Sequence, residues 1–332
     1  MAELVAAVPP LLRADQAEHR YNEALQTAVA AYAADTEGQS CFICMDGAAE
    51  EGLVRGCACR GGAGFAHVSC LARQATILVA EAEENNLDHD RFMPRWWQWS
   101  TCSLCEQQYH GVVRCALGWA CWKTYLGRPE TDMLRKGAMQ QLGNGLHHAK
   151  HHEEELSVRE AELATMRRIG APEAHILMAQ SNLANAYQSL GRLEPALLLM
   201  RDVYFGRLKL SGEENKSTLR LANNYASSLI KLKRFEEAKS LFRKTIPVAR
   251  RVLGESNHLT LVMKLHYAMA LYKDDDATLD DRREAVGTLE ETALTARRVL
   301  GGAHPLVEGI EKSLRTARAA LAARETPSPG SA

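Results

Sequence analysis

The sequence predicts a mostly α-helical protein in which a small loop-built domain precedes an α-helical superhelix. Two observations carry this. Cys41-x2-Cys44, twelve residues, Cys57-x-Cys59, seven residues, His67-x2-Cys70, thirty-one residues and Cys102-x2-Cys105 set eight metal-ligand residues in one ordered frame. Beyond residue 134 the chain then repeats itself at a fixed offset. Zinc prefers four soft or borderline ligands in a tetrahedron, and a Cys-x2-Cys knuckle lets two thiolates of one tight turn reach the same ion. Four bidentate half-sites therefore predict two zinc ions.

Residues 11–34 place Leu11, Leu12, Ala17, Tyr21, Ala24, Leu25, Ala28, Val29 and Tyr32 at mixed three and four spacing, which predicts an amphipathic helix. The frame that follows is rich in Gly, as expected where knuckles and short loops set the fold and metal supplies the folding energy. Its thirty-one-residue gap holds the helical pattern LARQATILVAEAEENNL and then Trp96, Trp97 and Trp99. Those rings are expected to cover the small metal core or seat it on the next helix; an exposed aromatic anchor is the alternative.

In the second half Tyr225 and Tyr267 differ by 42, as do Ala184, Ala226 and Ala268, Leu190 and Leu232, Ala196 and Ala238, and Gly170, Gly212 and Gly254. The fourth copy carries five extra residues near Asp274 to Thr278, expected to lie in a loop. Each unit has two apolar-periodic stretches around a short break, as in LANAYQSLGRLEPALLL, and so reads as a helical hairpin that must stack on its neighbours to bury its apolar face. The expected domains are 1–37 (helix), 38–112 (metal domain), 113–134 (connecting helix), 135–323 (repeats with a capping helix) and 324–332 (disordered tail).

A net charge of -1 lacks the basic excess of a nucleic-acid binder, so none is expected as partner. Seven of the nine cysteines belong to the ligand frame, a use of thiols suited to a reducing compartment, and a soluble cytoplasmic or nuclear protein is expected. The opening MAELVAAVPPLLRAD has an early acidic residue and no basic stretch, so no secretory signal is expected. The apolar stretch from Cys115 to Trp122 falls far short of the roughly 20 residues of a membrane helix, and no membrane insertion is expected.

Two zinc-finger families share the order four Cys, one His, three Cys: the plant homeodomain finger and the RING-CH finger. With one residue between the third and fourth Cys and seven before the His, residues 41–105 resemble the RING-CH finger. The resemblance implies a cross-brace in which Cys41, Cys44, His67 and Cys70 hold one zinc and Cys57, Cys59, Cys102 and Cys105 the other. It further implies an E3 ubiquitin-protein ligase or ligase-like adaptor that docks a charged ubiquitin-conjugating enzyme, with Ile43 as apolar contact and no nucleophile of its own. Gln74, Ser103 and Glu106 stand where that family carries Trp, Pro and a cation, which leaves a non-enzymatic zinc-finger scaffold as the alternative.

LANAYQSLGRLEPAL and NYASSLIKLKRFEEAK resemble the tetratricopeptide repeat, in the longer variety seen in kinesin light chains. Period alone leaves other helical repeats open; the Ala, Tyr and Leu-Gly positions favour this one. In that family first-helix Asn residues line a concave groove and grip the backbone of an extended peptide. Asn182 and Asn185, echoed by Asn223 and Asn224, take that role by resemblance, with a structural hydrogen bond between hairpins as the alternative. Arg192, Arg220, Lys231 and Lys233 would favour an acidic peptide or protein ligand.

Cys115 and Cys121 lie six apart in one helical stretch and read as small buried hydrophobes. His147, His148, His151 and His152 contain i, i+4 pairs able to bind a transition metal, yet GNGLHHAKHHEEEL reads as a solvated turn with weak nickel or zinc binding at most. Lys273-Asp274-Asp275-Asp276 reads as a solvated loop. No nucleophile elbow, phosphate loop or dinucleotide fingerprint is present in the sequence, so no catalytic residue is assigned.

Overall fold

The computed structural model describes residues 12–47, 51–302 and 304–325. Leu11, most of the amino-terminal stretch read for a secretory signal, and residues 326–332 of the expected tail lie outside the described residues. Among the described residues there are thirteen α-helices and no strand, only the isolated bridges Val54↔Ala66 and Thr101↔Gln108. None of these helices is long and apolar enough to cross a membrane. The chain divides into two compact units, one up to Leu190 and the other from Gly191.

The first unit begins with α1 (Ala14–Tyr32), whose buried stripe Ala17, Tyr21 and Ala28 packs on α4 (Gly111–Tyr125). Between them lies the metal domain with α2 (Val68–Glu84) and α3 (His89–Trp96). Helix α4 is apolar almost all round and buried along most of its length, Cys115 and Cys121 included. That burial raises the Cys115 thiol to about 12 and the Cys121 thiol well above its ordinary value, which keeps both as neutral packing groups.

Helix α5 (Met133–His148) crosses α4 at very short range, and glycine explains how. A Cβ on Gly118 would lie 2.9 Å from the Gln141 carbonyl oxygen, and one on Gly145 would lie 2.7 Å from that of Arg114. Backbone thus packs on backbone at these two glycines, whereas Gly137 and Gly143 of α5 face the side chains of Trp96 and Arg159. Buried Arg114 crosses this seam, donating to the Trp99 carbonyl at 3.2 Å and to Gln141 Oε1 at 2.7 Å. Burial lowers its guanidinium to about 10.

One continuous core runs from Leu12 through the metal domain to Val158. The motif borders expected at 38, 113 and 135 are therefore not packing borders within this unit. Trp96 and Trp99 are buried in that core against Tyr125, as expected, whereas Trp97 remains 52% exposed. The unit closes with α6 (His152–Arg168) and α7 (Glu173–Ser189).

The second unit stacks α8 (Leu193–Ser211), the hairpin α9 (Lys216–Lys231) and α10 (Phe235–Leu253), the hairpin α11 (His258–Tyr272) and α12 (Leu279–Leu300), and α13 (Pro305–Glu325). The repeated Ala196, Ala226, Ala238 and Ala268 are fully buried, as small residues must be where helices touch. Asn215 and Asn257 recur at the same period because each caps a helix, accepting from the Ser217 and Leu259 amides at 2.8 and 2.9 Å. The five extra residues of the last hairpin do not all enter the loop: α12 has 22 residues where α10 has 19, so three extend the helix. The acidic run is not wholly solvated either, since Asp274 lies 4.0 Å from the ammonium of buried Lys239, which Asp281 of α12 also approaches at 3.7 Å.

Candidate metal centre

The eight residues of the frame converge as two quartets, Cys41, Cys44, His67 and Cys70, and Cys57, Cys59, Cys102 and Cys105. Within each quartet the donor atoms all lie within 4.8 Å of one another. The quartets interleave along the chain, first and third pairs together, second and fourth together.

Local backbone explains how each pair points inward. In the first knuckle the Met45 amide donates to the Cys41 carbonyl at 2.8 Å and the Cys41 amide to the Asp46 carbonyl at 2.8 Å. In the second, the Glu106 amide donates to the Cys102 carbonyl at 2.9 Å and the Cys102 amide to the Gln107 carbonyl at 2.9 Å. Met45 (φ +68°) and Glu106 (φ +56°) take the same left-handed conformation, so both knuckles are one structure used twice. The Val54↔Ala66 bridge delivers His67 to the start of α2, whose first turn presents Cys70. Gly64 (φ +82°) passes so near that a Cβ there would lie 2.5 Å from the Cβ of Cys59.

The spacing fits zinc. A tetrahedral ion with bonds of about 2.0–2.1 Å to nitrogen and 2.3 Å to sulfur needs donors about 3.6–3.8 Å apart. His67 Nδ1 lies 3.4 Å from Cys44 Sγ and 3.7 Å from Cys70 Sγ, and Cys59 Sγ lies 3.9 Å from Cys102 Sγ. His67 Nε2 faces the Gly47 carbonyl at 3.0 Å, which fixes the tautomer that leaves Nδ1 free for metal. Burial and the crowding of neighbouring thiols raise Cys70 to about 12 and Cys59 to about 11, so a divalent cation is what would let these sulfurs ionise together. Four protein ligands apiece would close both sites around an ion, leaving no position for an activated water.

Ile43, the expected partner contact, is half-buried on the first knuckle, and its amide also faces Cys41 Sγ at 3.4 Å. Two neighbours escaped the sequence reading: Met45 (73% exposed) on that knuckle and Leu104 (52% exposed) on the second. Their signal was position beside a ligand, where a side chain has no core to enter.

The asparagines separate. Asn223 is buried on α9, and its Oδ1 accepts from His266 Nδ1 of α11 at 3.0 Å, the inter-hairpin bond weighed as the alternative. Asn224 is half-buried on the same helix. In the other unit Asn182 is half-buried and Asn185 exposed on α7. Among the cations, Lys231 and Lys233 line one cleft of the second unit, joined by Lys273, while Arg192 and Arg220 do not line it. Ile230, Phe235, Met269 and Tyr272 form its apolar wall. Burial, followed by the charges of Lys231 and Lys273, lowers His266 at this cleft to about 4, so its ring is neutral near pH 7.

Two interleaved Cys/His quartets suited to zinc, in a chain that also carries stacked helical hairpins, define a zinc-binding protein-interaction module. Residues 41–107 match the RING-variant domain, and residues 176–214 and 218–259 match the tetratricopeptide repeat. Similar solved structures include a Podosopora anserina protein described as kinesin light chain nearly identical TPR-like repeats, at 19% identity and a TM-score of 0.47, covering 70% of this chain and 98% of that one. Another is BtubC (BKLC) from P. vanneervenii, at 13% identity and a TM-score of 0.42, covering 80% and 93%. No curated protein matches this chain.

Proposed function

We propose that this protein is a RING-CH-type ubiquitin-ligase adaptor: its zinc finger docks a ubiquitin-conjugating enzyme and its helical repeats hold a protein partner. The observation that carries the reading is the apolar side chains Ile43, Met45 and Leu104 presented by two matched knuckles beside closed metal sites. A brace with no open metal position can orient a partner and supplies no nucleophile or activated water. In a ubiquitin-chain assay, Ile43→Ala should abolish transfer with zinc content unchanged. Transfer that survives the substitution defeats this docking role. Gln74, Ser103 and Glu106 support the second reading, a zinc-finger scaffold, which wild-type inactivity with a broad panel of conjugating enzymes would favour.

For the repeats, the cleft of Lys231, Lys233 and Lys273 beside Phe235 and Tyr272 supports an acidic peptide with apolar anchors as ligand. Asn224, on the helix that carries Lys231, is proposed as a backbone donor to that peptide; Asn182 and Asn185 are proposed as backbone donors to a peptide on the first unit alone. Lys233→Ala with Lys273→Ala should weaken binding of an acidic test peptide tenfold or more in fluorescence anisotropy and flatten its salt dependence. Unchanged affinity would remove the cleft from the proposal.

A further inference from the structure

Between α5 and α6 the chain brings together three metal-binding side chains that belong to neither quartet. His147, in the last turn of α5, places Nδ1 3.0 Å from Glu155 Oε2, and His152, the first residue of α6, places Nδ1 3.4 Å from the same oxygen. The three donor atoms lie within 4.8 Å of one another. The i, i+4 pairs legible in the sequence are not what assembles here, because the helix breaks at residues 149–151; the pairing is across the turn.

The turn is locked. The Ala149, Lys150 and His151 amides donate to the Gly145, His147 and Leu146 carbonyls at 3.0, 3.0 and 2.9 Å, and Lys150 takes the left-handed conformation (φ +63°). His147 and His152 are thereby held at a set separation before any ligand arrives. Glu155 is only 2% exposed, so the stretch is not the uniformly solvated turn its composition suggests. A carboxylate removed from water needs compensating charge or donors. The His side chains, 48% and 27% exposed, leave an approach from solvent.

An ion bound to imidazole nitrogen and carboxylate oxygen at about 2.0–2.2 Å spaces its donors about 3.4 Å apart, close to both distances here. Two imidazoles and one carboxylate suit borderline divalent ions, whereas magnesium and calcium require oxygen donors. Three protein ligands leave a fourth position to water, so this ion would exchange, unlike those of the closed quartets.

We propose that His147, His152 and Glu155 form a third divalent transition-metal site, taken by zinc, that clips α5 to α6. The test is elemental analysis of the full chain after dialysis against micromolar free zinc, comparing wild type with His152→Ala and Glu155→Gln. Each variant should carry one ion fewer per chain than wild type, while the cobalt-substituted proteins keep the same thiolate charge-transfer absorption. Because the readout is a difference, a failure of the two-zinc finger would change all proteins alike and be told apart. His147→Ala, which alters a half-exposed side chain, covers the case in which Glu155→Gln disturbs folding. Equal ion counts in wild type and His147→Ala, or a difference seen only at millimolar zinc, would overturn the site and leave a hydrogen-bonded His-carboxylate cluster.

Discussion

The metal domain and the second-unit repeats solve the problem of a small core in opposite ways. In residues 41–108 the described residues form two isolated bridges beside α2 and α3, and two quartets of candidate metal ligands bring its loops together. In the repeats each hairpin is regular and leaves one apolar face for its neighbour, with Phe242, Leu229, Leu261 and the recurring Ala residues fully buried between helices. The first device depends on a few irreplaceable atoms and the second on many exchangeable contacts. Losing one part should therefore be catastrophic in the finger and graded in the repeats.

The largest effect is expected from His67→Ala. Structural zinc sites in peptides supply about 10–16 kcal/mol, and a three-ligand site forfeits most of it. Because the finger shares one core with α1, α4 and α5, its loss should also expose amides of those helices while the second unit keeps its hydrogen-exchange protection. Elemental analysis with hydrogen exchange reads both. Full protection of α4 in a metal-free variant would mean that the core, not the ion, holds the first unit.

Phe242→Ala should cost about 3–5 kcal/mol, the usual range for emptying a buried aromatic site, and leave zinc content intact. Denaturant unfolding followed through the second unit measures it. A loss under 1 kcal/mol, on the order of a surface change, would mean the stack closes over the gap and is softer than the contrast supposes.

The smallest effect is pH-dependent. His266 is held near 4 in the fold against an ordinary value of about 6.5. The unfolded chain takes up this proton more readily, so its contribution is intact above about pH 6.5 and shrinks as pH falls toward 4, by up to about 3 kcal/mol. Asn223→Ala should cost about 1–3 kcal/mol by orphaning the His266 N–H, and leave acidic-peptide binding unchanged. A stability profile flat from pH 7 to pH 4.5, read as urea midpoints, would show that His266 is protonated in the folded unit.

Much of the metal site was legible because zinc ligation is written in residue type and short spacing: Cys41 to Cys44 and Cys102 to Cys105 each close within one turn. The pairing of quartets was not, since it joins Cys41 and Cys44 to His67 and Cys70, and Cys57 and Cys59 to Cys102 and Cys105, well beyond one turn of chain, and came from family resemblance. In the repeats, Asn182, Asn223 and Asn224 look alike in sequence, yet Asn223 is consumed by His266 one hairpin later. The period reports that neighbours are equivalent; it does not report which polar atoms meet.

Short-range chemistry wrote the ligand frame, the 42-residue period, the helical faces and the small residues at their contacts into the chain, all within a few turns. Tertiary structure alone decided that the finger's core is continuous with α1, α4 and α5, and that Trp97 is exposed while Trp96 and Trp99 are buried. It also decided that Lys231, Lys233 and Lys273 share one cleft and that Glu155 is withdrawn from water between His147 and His152. The reason is physical. Burial and charge pairing depend on which distant surfaces meet, and close packing, such as that of Gly118 and Gly145 at the α4–α5 crossing, chooses those partners only once the helices have docked.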